Sequence, residues 1–211
     1  MNGAAIVLLV VALTLSALDW VAVAYRLRPM ENVCKPAAAI VFLLAALALD
    51  PVDDGARTWL VVALAFCVAG DVFLMLPRDA FLPGLGSFAV AQILFTVSFA
   101  LREPTATRAM VGLVAVAVGA SLLARRFVGA LQRSGAGNMV PAILVYVTVI
   151  SAMVVSAVAG GSPAAIIGAV LFTVSDSLIA EERFVRSRPW QRLTIIVTYH
   201  TALAGLVLGL V

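Results

Sequence analysis

Residues 58–76 read TWLVVALAFCVAGDVFLML, an unbroken apolar stretch in which Asp71 is the only charged group. At 1.5 Å per residue a helix of that length is about 28 Å long, close to the thickness of a bilayer's hydrocarbon core. The run is bounded by turn formers on both sides, Asp53-Asp54-Gly55 before it and Leu76-Pro77 after it. Seven further runs of the same kind flank it, so that candidate spans fall at 4–24, 36–51, 58–76, 83–101, 106–124, 140–159, 162–180 and 191–211. The whole chain is 64% hydrophobic and 12% charged over 211 residues, too few charges to cover a water-soluble fold of this size. The expected fold is all-α: one polytopic membrane bundle over residues 1–211, with eight transmembrane helices.

The first run lacks a basic leader and carries Asp19-Trp20 where a small-residue cleavage site would fall, so it is read as helix one and not as a signal peptide. The breaks between runs sort the basic residues. Arg26, Arg28, Lys35, Arg78, Arg125, Arg126, Arg133, Arg183, Arg186, Arg188 and Arg192 follow the odd-numbered helices, eleven of the fourteen Lys and Arg; Arg57, Arg102 and Arg108 fall on the other side. Basic residues near membrane ends collect in the cytoplasm, which predicts both termini on the non-cytoplasmic side of a multi-pass protein, with a bacterial cell membrane as its expected location. The same distribution accounts for the basic pI of 9.3. The basic residues form no contiguous stripe interleaved with aromatics, so no nucleic-acid partner is expected.

Cys34 and Cys67 match neither a thiolate metal motif nor a disulfide framework and read as packing residues. A metal site would have to combine the lone His200 with carboxylates, so no metal and no other cofactor is expected.

The polar minority forms a layer. Asp19, Asp71 and Asp176 lie about 6 to 9 Å from the inner ends of helices one, three and seven. Lys35-Pro36 opens helix two on that side, Gln92 sits midway along helix four, and Tyr199 and His200 lie about two turns into helix eight. Asp19 has Arg26 and Arg28 nearby and reads as a structural residue that pairs with them or snorkels. Asp71 has no basic neighbour before Arg78, and Asp176 is flanked by Ser175 and Ser177, either of which could hydrogen-bond it. Acids at this depth are costly and mark function. Two carboxyl groups in one low-dielectric pocket resist ionising together, so one is expected neutral and the other ionised beside Lys35 or Arg183, an acid and a base in one pocket. Tyr199 and His200 are adjacent and point about 100° apart on a helix, so one of them is expected to face the pocket. Gly70-Asp71 and Ser175-Asp176 stand four crossings apart in the same direction, each followed by a phenylalanine, Phe81 or Phe184, which fits a parallel four-plus-four repeat.

Lys35-Pro36, Gly70-Asp71 with Leu74-Met75, then Phe81, Gly84 and Phe88, then Ser175-Asp176-Ser177-Leu178 with Ala180 and Phe184, and finally Thr198-Tyr199 make the chain resemble the YhhN-type lysoplasmalogenases over nearly its whole length. The resemblance implies an eight-helix membrane enzyme that hydrolyses, without a metal, the vinyl ether bond of lysoplasmalogens to a fatty aldehyde and a glycerophospho-head group. It implies Asp71 and Asp176 as the catalytic pair, with Lys35, Gln92, Ser175, Ser177, Tyr199 and His200 around the pocket. A lysophospholipid substrate and membrane lipid are the implied partners, and homo-oligomerisation is left open.

Two departures stand out. This chain has Gln92 where the family usually has a histidine, with Phe95 replacing a nearby tyrosine, and Leu203 where it usually has an amide. Gln92 and His200 are therefore expected to have exchanged places across two facing helices. The alternative reading is a proton-coupled transporter or lipid-binding membrane protein that titrates the buried Asp pair; a purely structural subunit would leave the acids unexplained.

Overall fold

The fold is described by a computed structural model covering residues 2–211. Among the described residues all regular structure is helical: α1 (Gly3–Ala24), α2 (Arg28–Ala48), α3 (Asp54–Met75), α4 (Phe81–Ala100), α5 (Ala106–Arg133), α6 (Val140–Gly160), α7 (Pro163–Phe184) and α8 (Gln191–Leu208), with a short 3₁₀ turn at Gly137–Met139 before α6. Local chemistry starts and stops them. Asn2, Asp53 and Ser162 place side-chain oxygens on the free backbone N–H groups of α1, α3 and α7. Pro163 occupies the first helical position of α7, where its missing N–H costs nothing, and α6 ends at Gly161, whose φ of +74° only glycine adopts cheaply.

Seven of the helices, α1 to α7, are long and apolar enough to cross a membrane, which makes this an integral, multi-pass membrane protein. The eighth run is helical too, but α8 starts with Gln191-Arg192 and carries Tyr199 and His200 within its length. Two predicted boundaries move. Helix two begins at Arg28, so Lys35 lies two turns inside it and Pro36 interrupts its interior. Helix five runs on to Arg133, well past the expected end at 124. Hydropathy marks where lipid ends, whereas a helix continues until its backbone finds other partners, and both extra segments carry charges that break the apolar run, although Phe127 and Leu131 of the second stay buried. Helix seven likewise extends to Phe184, which leaves Asp176 about 12 Å from its end and deeper than expected.

The helices pair in sequence as antiparallel hairpins, α1 with α2, α3 with α4, α5 with α6 and α7 with α8. Backbones of α7 and α8 touch: a Cβ placed on Gly168 would lie 2.7 Å from the Leu206 nitrogen, and one on Gly205 would lie 2.9 Å from the Ala164 carbonyl oxygen. Small residues allow this close approach where dispersion drives helix association. Half of α8 is buried, including Tyr199, His200, Leu203, Leu206 and Val207, and it also packs against α1 and α2. By contrast α5 presents Met110, Val111, Leu113, Val114, Val118 and Leu122 outward, an exposed apolar face suited to lipid. Most of the Arg residues gather at one end of the bundle, here termed the basic end.

Candidate active site

The polar layer resolves into two buried clusters, each centred on an aspartate. Asp71 on α3 faces Lys35 of α2, whose Nζ lies 3.0 Å from Oδ1, while the Tyr199 hydroxyl of α8 donates to Oδ2 at 2.6 Å. Asp176 on α7 has no cation in contact among the described residues. The Tyr146 hydroxyl of α6 donates to its Oδ2, and Gln92 Nε2 of α4 donates to the same oxygen at 2.8 Å and to the Tyr146 hydroxyl at 2.7 Å. The pattern is reciprocal: α2 and α8 grip the acid of α3, and α6 and α4 grip the acid of α7. Rings link the clusters, since Phe88 and Phe172 each lie edge-on to Tyr199 at 6.0 and 5.9 Å and to one another at 6.0 Å.

Asp176 borders a narrow, nearly apolar slot among α4, α5, α6 and α7, whose lining includes Tyr146, Ser177, Phe88, Leu85, Phe127 and Ala180. Water-sized spheres find room for their centres over only about 40 Å³ of it, so the slot suits a flexible chain better than a pool of water. The second oxygen of Asp176, Oδ1, has no hydrogen-bond partner among the described residues. Asp71 does not line this slot and is fully buried behind the aromatic rings. The two acids thus share a layer, with aromatic rings packed between their clusters and only Asp176 on the slot.

Ser177 lines the slot but donates its hydroxyl to the Thr173 carbonyl of its own helix. Ser175 turns the other way and donates to the Ile195 carbonyl of α8 at 3.0 Å, so neither serine bonds Asp176. Both Tyr199 and His200 are buried, but only Tyr199 bonds an acid; the His200 nitrogens have no partner among the described residues. The expected exchange of Gln92 with His200 is not found. Gln92 belongs to the Asp176 cluster, whereas α8 packs against α1, α2 and α7, which puts His200 on the other side of the layer. Phe95 and Leu203, at the positions of the other departures, are fully buried core residues. Asp19 does not pair with Arg26 or Arg28: it is fully buried with both oxygens unpartnered among the described residues, because Arg26 sits in a turn with φ of +59° beyond the helix end. Tyr146 is the residue that sequence reasoning missed. Its signal was present as the one hydroxyl-bearing aromatic in the apolar run 140–159.

Residues 30–210 match the YhhN family. Among curated relatives, the chain is 33% identical to "Lysoplasmalogenase TMEM86B" of Mus musculus, an alignment covering 83% of this chain and 72% of the mouse protein. It is 34% identical to "Lysoplasmalogenase" of Mycobacterium tuberculosis over 70% of this chain and 58% of that protein. The alignment with "Lysoplasmalogenase TMEM86B" of Homo sapiens is 30% identical and covers 71% of this chain and 62% of the human protein. No solved structure matches the chain.

This chain belongs to the YhhN family.

Six of the residues that carry the family resemblance meet at the slot. Leu74, Phe81, Phe88, Asp176, Ser177 and Ala180 line it. Gly70 is there for Phe88, because a Cβ at Gly70 would lie 2.8 Å from that ring, and Gly84 makes the same allowance for Leu74. Phe81 and Phe184, which follow the two aspartates, meet edge to face at 5.5 Å beside the mouth of the slot. The chemistry on offer is a carboxyl group with one oxygen held by two neutral donors and the other unpartnered among the described residues, on the wall of a narrow apolar slot.

Proposed function

We propose that this chain is an integral membrane hydrolase that cleaves the vinyl ether bond of lysoplasmalogen-type lipids, with Asp176 as the residue that acts on the substrate. The observation that carries the reading is that Asp176 borders the slot with Oδ1 unpartnered among the described residues. The curated relatives named lysoplasmalogenases support the substrate class. Vinyl ether hydrolysis begins with proton transfer to the β-carbon, which turns the α-carbon and the ether oxygen into an oxocarbenium ion. Neutral Asp176 donates that proton from Oδ1 and becomes a carboxylate next to the new cation. It then takes a proton from the water that attacks the α-carbon, so it ends the step protonated as it began. The resulting hemiacetal breaks its bond to the glycerol oxygen, releasing aldehyde and the glycerophospho-head group. Asp71 is the ionised member of the pair, its charge matched by Lys35, and it orients Tyr199 against Phe88 and Phe172 at the wall of the reaction zone.

All eight helices cross the membrane in this reading, with both termini on the non-cytoplasmic side. Gly168 against Gly205, Ala165 against Gly209 and Ser175 against Ile195 keep α8 antiparallel to α7 over most of its length. Its modest hydropathy fits a helix wrapped by protein rather than lipid. The reciprocal grip on the two acids supports a chain of two four-helix halves.

The test is aldehyde release from a lysoplasmalogen by purified protein. Asp176→Asn is expected to lower the rate about 10²- to 10⁴-fold, the usual worth of general acid catalysis. Asp71→Asn, folded to the same extent, is expected to lower it less, and the wild-type rate should show a normal solvent deuterium isotope effect. Unchanged release by Asp176→Asn defeats the mechanism. Failure to release aldehyde together with pH-dependent solute uptake in vesicles favours a carrier.

A further inference from the structure

Beside the slot, at the basic end of the bundle, the turn from α3 to α4 borders a second, more polar and more open cavity. It is lined by Phe73, Leu76, Arg78, Asp79 and Arg183, and it shares Leu74 and Phe81 with the slot. With a volume of about 390 Å³ and a polar lining, it forms a vestibule roomier than the slot. Two residues therefore form the wall between a charged chamber and an apolar one.

The chamber already holds an anion, one supplied by the chain itself. The Asp79 carboxylate pairs with the Arg183 guanidinium at 2.5 Å and lies near the backbone N–H of Phe81, the first residue of α4. Arg183 lies over the Phe81 ring, 5.1 Å from its centre. α4 has no side-chain cap at its N-cap residue Ala80, which leaves its first N–H groups free to favour a nearby anion. Arg183 and the α4 terminus together hold Asp79 below the ordinary aspartate pKa. Other arginines at this end are committed elsewhere: Arg126 makes a two-pronged bond to Glu181, and Arg192 bonds Glu31. Asp79 and Arg183 are both largely exposed in the vestibule, so an exchange of partners there meets little desolvation cost.

The spacing joins the chambers into one path. Arg183, Ala180 and Asp176 recur on one face of α7, and Phe81, Leu85, Phe88 and Gln92 recur on the facing side of α4. Arg183 and Asp176 are seven residues apart, roughly 10 Å along the axis and nearly in line. The three glycerol carbons between an ether oxygen and a phosphate, with the reach of an arginine side chain, cover such a gap.

We propose that the vestibule is a phosphate site: the phosphate of a lyso-ether lipid displaces Asp79 from Arg183, with Arg78 as a second cation, while the lipid's chain enters the slot past Phe81. Asp79 is then an internal competitor that neutralises Arg183 when the site is empty. The inference rests on the hydrolase reading for the orientation of the lipid, but its test is a binding measurement that needs no hydrolysis.

The probes are a saturated alkyl-ether lysophosphocholine, which has no vinyl ether to cleave, the matching alkylglycerol without phosphate, and inorganic phosphate. Binding to the full-length protein in detergent is followed by calorimetry. Arg183→Gln is expected to weaken binding of the phospholipid about tenfold to a hundredfold, the worth of charge-assisted hydrogen bonds, and to leave alkylglycerol binding as it was. Asp79→Asn is expected to do the opposite and tighten phospholipid binding. If both variants weaken binding of both lipids equally, the ion pair merely supports the turn and the proposal falls. Inorganic phosphate binding as tightly as the lipid also overturns it, since the site then serves free phosphate. Arg183-dependent phospholipid binding in a protein that releases no aldehyde leaves the phosphate site standing and removes the hydrolase reading alone.

Discussion

Asp71 and Asp176 are the same side chain in two different electrical settings. A lysine ammonium 3.0 Å from Asp71 supplies a full opposite charge, whereas Asp176 receives only the dipoles of a phenol and an amide. In a low-dielectric bundle that contrast separates an ion pair from an acid. It leads to a difference between two tyrosines. Tyr146→Phe leaves Gln92 alone to hold Asp176, and aldehyde release is expected to fall about tenfold or more. Tyr199→Phe leaves Lys35 on Asp71 and is expected to cost less; steady-state rates on the two variants check the order. At the surface, Asp79 gives a pH signature. Its folded pKa is lowered by Arg183, so the stability it contributes is present above the unfolded aspartate pKa and is lost as pH falls through the folded one. The difference in unfolding temperature between wild type and Asp79→Asn is therefore expected at neutral pH and should vanish in strong acid.

At the scale of helices, glycines decide how near two elements come, and with that the shape of the slot. Gly70 lets the Phe88 ring lie directly on α3. Gly70→Ala is expected to displace that ring and to reduce activity by more than it reduces stability, which paired rate and unfolding measurements separate. Gly168 is different, because what it meets is backbone on α8 and not a movable ring. Gly168→Val is expected to cost about 1–3 kcal/mol of stability by overpacking, read as a lower unfolding temperature in detergent. The elements were largely legible in advance, since runs of about twenty apolar residues have few other uses. What hydropathy did not reveal were the charged helical segments at Arg28–Asn32 and Arg125–Arg133, which continue α2 and α5 past the apolar runs.

For the whole molecule, topology is the claim to test. Cysteines placed at Gly3 and Val211, near the two ends of the chain, are expected to react with a membrane-impermeant thiol reagent from the same, outer side. One at Ser187, in the connection between α7 and α8, is expected to react only after the membrane is opened. The native cysteines, Cys34 and Cys67, are buried and should give little background. Opposite labelling of the two ends would mean that α8 does not cross.

The amino-acid order alone determined the membrane class, the approximate spans, the basic end and the two acids worth attention, because each of these depends on composition along one dimension. Apolar length, charge bias and a rare buried carboxylate are all visible without knowing which helix lies beside which. Lateral arrangement was decided only in the tertiary structure. Facing helices can be arranged in many ways with nearly equal burial in lipid, and side-chain partners follow from the arrangement that packs. For that reason Gln92 joined Tyr146 on Asp176 and not His200, Tyr199 and Lys35 went to Asp71, and the slot opened beside one aspartate rather than between the two.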